Sequence, residues 1–206
     1  MSNGLSSDLH YLLLLGVLLV GCDRAPAGMG QPEMDPVAAS ARALTDYDAN
    51  GDLKLTKEEL KACPGLLSAI DGFDQDRDGA ISGDELTSYM QEIQKQGAAI
   101  ISITCIVNRN NQPLEGATVK LEPEAFMGEA IKPATGITTR DGVASLSIAE
   151  EELPQEYRGR LRGVHCGVYR VIVTHPNVEI PTKYNTKTEI GRIVSRRNHE
   201  TLTINL

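Results

Sequence analysis

The chain has 206 residues, enough for one ordinary domain or two small ones. It contains no Trp, two Phe and six Tyr, so its core must be built mainly from Val, Ile, Leu and Ala. The net charge of −8 is local: twelve acidic and four basic residues fall within 46–92, whereas residues 97–206 nearly balance at twelve against thirteen. No basic patch with interleaved aromatics is present, which sets nucleic acid aside as a partner.

Tyr11 to Val20 reads YLLLLGVLLV. It is too short for a hydrocarbon core of about 30 Å and has the length of a signal-peptide apolar region. It ends in Leu19-Val20-Gly21-Cys22, which resembles the lipobox of bacterial lipoproteins. The resemblance implies a signal peptide over 1–21, cleavage before Cys22 and lipid on its thiol and new amino group. It also implies an exported, membrane-anchored protein of the cell envelope, periplasmic or at the cell surface. Asp23, by the same resemblance, disfavours outer-membrane sorting. Met1 to His10 lacks Lys and Arg, so an uncleaved hydrophobic anchor is the alternative. Residues 22–36, rich in Pro, Gly and Ala, read as a flexible tether.

Residues 37–96 carry helical periodicity broken by two acidic loops. Val37, Ala41 and Leu44 recur at helical spacing, as do Leu66, Leu67, Ile70 and Phe73, and then Leu86, Tyr89, Met90 and Ile93. These stripes predict the core of a small helical domain that stops at Gly97.

The second loop reads DQDRDGAISGDE from Asp74 to Glu85. Calcium takes six to eight oxygens at about 2.3–2.6 Å, and a loop of about twelve residues can supply them from alternate positions and its last residue. Asp74, Asp76 and Asp78 fill the first, third and fifth positions, with Gly79 at the sharply turning sixth. The Ala80 carbonyl serves at the seventh, Ser82 at the ninth, and Glu85 at the twelfth with two oxygens. The rival reading is a solvated acidic turn.

The first loop admits two registers. Starting at Asp46 puts Lys57 where the bidentate carboxylate belongs. Starting at Asp48 gives DANGDLKLTKEE, with Asp48, Asn50 and Asp52 at the first, third and fifth positions. The Lys54 carbonyl, Thr56 and Glu59 follow at the seventh, ninth and twelfth. Its defect is Leu53 at the sixth position, a cost of about 1 kcal/mol or a little more. Losing a bidentate carboxylate costs more, so the Asp48 register is preferred and the loop is expected to be the weaker one. The alternative is a paired but empty loop.

These two loops resemble the EF-hand family, which implies paired helix–loop–helix units and Ca²⁺ as the bound ion. Their starts lie only 26 residues apart, and Pro64-Gly65 in the connecting segment requires a brief exit helix.

Residues 98–206 change character. AIISITCIV, ATVKLEP, GITT, GVASLSI, GVYRVIVT, EIGRIVS and ETLTINL are β-rich runs punctuated by Gly, Asn and Pro turns, which argues for an all-β sandwich. A helical turn is expected near AEEELPQEYRG. The segments PLEGATVKLEP, KPATGITTRDG, GVYRVIVT and IPTKYN resemble the carboxypeptidase-regulatory-like, transthyretin-like sandwiches of bacterial lipoproteins. That resemblance implies a binding or spacer module with no catalytic residues.

With Cys22 lipidated, Cys63, Cys105 and Cys166 remain, an odd number; Cys105 and Cys166 are a candidate disulfide pair. His165-Cys166 offers the right groups for a nucleophile pair, but adjacent strand residues point to opposite faces. No HExxH or GxSxG spacing occurs, so no enzyme is expected. The reading is an α+β multidomain chain: an EF-hand pair over 37–96 and an all-β sandwich over 98–206. Its partners are calcium, a membrane through Cys22, and a cell-envelope protein or polysaccharide. A cell-surface adhesion module and a calcium-dependent sensor are the rivals.

Overall fold

The computed structural model describes residues 30, 32–95, 100–199 and 201–206. The signal segment, Cys22, most of the tether and Gly97 lie outside the described residues. Among the described residues no helix is long and apolar enough to cross a membrane.

The first helix, α1 (Pro36–Tyr47), starts where local chemistry dictates. Pro36 occupies the first turn, and the Asp35 carboxylate accepts from the Val37 and Ala38 amides at 3.0 and 3.1 Å. Its buried face differs in part from the expected stripe, of which Leu44 alone packs against the core. Ala39, Ser40 and Ala43 are buried, whereas Val37 is 62 % exposed and Ala41 is exposed. The small residues let α1 approach α4 (Gly83–Lys95), where the Ser40 hydroxyl donates to the Gly83 carbonyl at 2.8 Å. In an Ala-rich helix, close approach rather than side-chain size selects the buried face.

Between α1 and α4 the chain runs through strand β1 (Lys54–Thr56), a single turn at Glu59–Ala62, two one-turn helices, α2 (Pro64–Leu67) and α3 (Ile70–Phe73), and strand β2 (Ala80–Ser82). The expected helix across Leu66 to Phe73 is thus broken at Ala69, whose φ of −139° is not helical. Leu66, Ile70 and Phe73 are still buried, and Phe73 meets Tyr89 with ring centroids 4.0 Å apart.

The C-terminal strands follow the β-rich runs: β3 (Ile103–Arg109), β4 (Gln112–Pro113), β5 (Thr118–Pro123), β6 (Ala134–Ile137), β7 (Val143–Ile148), β8 (Gly167–Thr174), β9 (Gly191–Val194) and β10 (Leu202–Asn205). Asn110 and Asn111, both at positive φ, turn β3 into β4. The strand order is β10-β3-β7-β6-β5-β8-β9, antiparallel throughout except for the parallel β10–β3 pair. The layout is mostly β, with the helices confined to the N-terminal part.

The strands form one sheet that curls on itself, a mostly β layout consistent with the expected sandwich. The β6–β7 join consists of Ala134↔Ile148 and Thr135↔Ser147 alone, and an isolated bridge ties Ile101 to Val164. Inward residues such as Val107, Leu121, Leu146 and Val173 then share one core. The turn-rich excursion after β7 forms short helical turns at Glu150–Glu152 and Gln155–Tyr157, as its sequence suggests.

The helical segment and the sheet bury one continuous cluster, from Ala39 and Leu86 through Val168 to Ile204. Tyr47 meets Phe126 edge-on at 6.5 Å, the Arg42 guanidinium donates to the Phe126 carbonyl at 3.0 Å, and α2 lies on β8 and β9. The acidic loops are therefore held on a scaffold that includes the sheet.

Candidate metal centre

Both acidic loops follow an α-helical end: Asp48 caps α1 and Asp74 caps α3. Most of their hydrogen bonds correspond position by position. In the first loop the Asp48 carboxylate accepts from the Leu53 amide at 2.8 Å; in the second, Asp74 accepts from Gly79 at 2.9 Å. Asp52 accepts from the Lys54 amide and Asp78 from the Ala80 amide, each at 2.9 Å. The strands that follow pair antiparallel, with Leu55 opposite Ile81. This correspondence aligns Asp48, not Asp46, with Asp74.

Each loop closes on its final glutamate. Glu59 Oε1 accepts from the Ala49 and Asn50 amides, and its Oε2 accepts from the Thr56 amide and hydroxyl at 2.9 and 2.7 Å. Glu85 does the same with Gln75, Asp76 and the Ser82 amide and hydroxyl at 2.8 and 2.7 Å. Thr56–Glu59 and Ser82–Glu85 are capping boxes, in which hydroxyl and carboxylate satisfy each other's backbone amides. The Thr56 and Ser82 hydroxyls thus donate to the glutamates rather than standing apart as ninth-position donors. The Thr56 amide and hydroxyl hold the Glu59 carboxyl below its ordinary range. Partial burial opposes the same effect at Glu85, but its bonds from Ser82, Gln75 and Asp76 outweigh it.

The three aspartates of the second loop converge. Asp74, Asp76 and Asp78 each offer a carboxylate oxygen, and these lie within 4.8 Å of one another. Among the described residues this is the group of three such side chains placed to share an ion. At calcium–oxygen distances of about 2.3–2.6 Å, ligands on opposite sides of one ion stand about 5 Å apart, so this donor set fits a hard cation. Glu85, held on backbone amides, is not part of that group. In the first loop Asn50 occupies the third position, and its amide donates to Asp52 at 2.9 Å.

Leu53 shows what the first loop lacks. Its φ is +65°, as that of Gly79 is +92°, and its side chain is 68 % exposed. A β-carbon in this conformation is strained, and Leu53 packs little in return. Leu53→Gly is expected to stabilise the calcium-free chain by about 0.5–1 kcal/mol, the relief of strain less the greater freedom of glycine when unfolded. A melting curve in chelator reads this; an unchanged or lower midpoint refutes the strain.

One side chain at the site was missed by sequence reasoning. Lys54, credited only with its carbonyl, pairs its ammonium with the Asp78 carboxylate of the other loop. That hydrogen bond holds Asp78 below and Lys54 above their ordinary ranges. The antiparallel Lys54–Thr56/Ala80–Ser82 pairing brings the two together, and that pairing was the available signal.

The remaining candidates lie apart from the loops. Cys63, Cys105 and Cys166 are buried and form no disulfide, which corrects the proposed Cys105–Cys166 pair. Burial pushes the Cys166 thiol up to about 11 and, with the Lys132 charge, the His165 imidazole down to about 4. His165 Nδ1 instead accepts from the Lys132 amide at 3.2 Å. A protonated thiol beside a neutral, backbone-bonded imidazole is the reverse of an activated nucleophile pair.

No protein-family model matches the chain, and no curated protein matches its sequence.

Proposed function

We propose that this chain is a calcium-binding protein that holds the ion in two EF-hand-type loops, the Asp74 loop being the stronger. The observation that carries this reading is the convergence of Asp74, Asp76 and Asp78 within 4.8 Å, in a loop whose hydrogen bonds recur in the Asp48 loop. Bound calcium would supply a fixed divalent charge that screens these carboxylates from one another. Asp74, Asp76, Asp78, the Ala80 carbonyl, Ser82 and Glu85 would hold one ion. Asp48, Asn50, Asp52, the Lys54 carbonyl, Thr56 and Glu59 would hold the other.

The calcium is structural in this reading. A sensor needs an apolar cleft to open, and here Leu66, Phe73, Leu86 and Met90 belong to one buried cluster with Val168 and Ile193 of the sheet. The setting is the cell envelope, through lipid on Cys22, with the sheet as a spacer or as the module that meets an envelope protein or polysaccharide. No catalytic step is part of this function.

Calorimetric calcium titration of residues 23–206, alone and with Glu85→Gln or Glu59→Gln, tests the proposal. Gln preserves the capping box, so the variants report ligand charge rather than helix capping. Two sites are expected, the tighter lost in Glu85→Gln, with no gain in binding of an apolar dye. Absence of calcium uptake overturns the function, and calcium-dependent dye binding overturns the structural role.

A further inference from the structure

We infer that Lys54 acts as a built-in competing cation that lowers the calcium affinity of the second loop. The inference rests on the calcium reading above. Lys54 sits at the seventh position of the first loop, where the calcium reading uses only its carbonyl and leaves its side chain available elsewhere. Its ammonium pairs with Asp78, one of the three converging aspartates, and the pair is partly exposed, 43 % for Lys54 and 34 % for Asp78. Asp76 and Glu85 also act on that ammonium. A single positive charge thus stands at the edge of the most acidic loop and spends one Asp78 oxygen.

A calcium ion entering the second loop must either displace the ammonium or bind beside it. The first costs the ion pair, the second a repulsion between a divalent and a univalent cation several ångströms apart. Both weaken binding at the second loop. The seventh residue of the second loop is Ala80, so no charged side chain reaches back to the first loop from the corresponding position. The effect therefore narrows the gap between a loop with four carboxylates and one with three, and favours filling of the two together.

The test is calcium titration of the Glu59→Gln chain, which isolates the second loop, with Lys54 as Lys, Met or Arg. Met keeps the backbone carbonyl and the strand, and Arg keeps the charge. Lys54→Met is expected to tighten binding by about three- to tenfold, more at low than at high salt, while Lys54→Arg stays near the parent. Unchanged or weaker binding in Lys54→Met, or tightening in Lys54→Arg as well, overturns the role of Lys54 and leaves the calcium reading standing. No uptake by any of the three, nor by the chain with Glu59 intact, overturns the calcium reading and this inference with it.

Discussion

Replacing Gly191 with Ala is expected to destabilise the protein by about 3 kcal/mol, the upper end of the cost of overpacking a rigid contact. Gly191 opens β9 where α2 crosses it. A β-carbon there would lie 1.8 Å from the Pro64 carbonyl oxygen, 2.2 Å from its carbon and 2.6 Å from Gly65 Cα. All three are backbone atoms, so no rotamer change relieves the clash and either α2 or β9 must move. Gly65 cannot yield, because its own missing side chain leaves room for Val168 and Glu124, 2.6 and 2.9 Å from where a β-carbon would stand. The control is Gly72→Ala in α3, where the nearest atom to the new β-carbon, Tyr89 Cε2, is 3.9 Å away. Urea unfolding of both variants checks the claim: a loss below about 1 kcal/mol for Gly191→Ala means that the two backbones do not approach this closely in solution.

The same contact shows where the sequence was informative and where it was silent. The acidic loops were legible because each position has a distinct requirement, and the Asp48 register could be chosen by weighing Leu53 against Lys57. The strands were legible because runs such as GVYRVIVT combine β-branched residues with turn residues at their ends. The buried face of α1 was misjudged because Val37 outranks Ala39 in hydrophobicity while Ala43 and Ser40 outrank it in fit against α4. The curl of the sheet depends on how few residues join β6 to β7, a register matter that composition does not encode. The docking of α2 on the sheet was invisible for a different reason. It depends on the absence of side chains at Gly65, which reads only as a helix breaker beside Pro64, and at Gly191, which lies unremarked inside the run EIGRIVS, and on one glutamate among many. Lys54 was overlooked because its partner is 24 residues away in sequence and becomes adjacent only when the two loops pair.

That glutamate carries the second large expectation. Glu124 follows β5, and its side chain is fully buried, a position an acidic residue rarely occupies without partners. It accepts from the Gly65 amide at 2.9 Å and from Arg170 Nε and Nη2 at 3.1 and 2.5 Å. One carboxylate thus joins the segment between the two acidic loops to β8 of the sheet. Tyr47, one residue before the first loop, and Cys63 feel the same charge; burial leads in raising both, the Cys63 thiol to about 12. Glu124→Ala is expected to cost about 3 kcal/mol, because it leaves a buried amide unsatisfied and the partly buried Arg170 without its counter-charge. Glu124→Gln keeps an acceptor for Gly65 but turns an amide toward Arg170, and should cost about half as much. Adding Arg170→Met to Glu124→Ala removes the stranded charge and should restore part of the loss. Because Gly65 lies between Glu59 and Asp74, loosening it should also loosen both loops and weaken their hold on calcium, so the cost of Glu124→Ala should be larger in saturating calcium than in chelator. Unfolding curves of the four chains with and without calcium measure this. Equal costs in the two conditions would separate the junction from the ion, and the sheet would then be a passive neighbour of the loops rather than part of the frame that holds them.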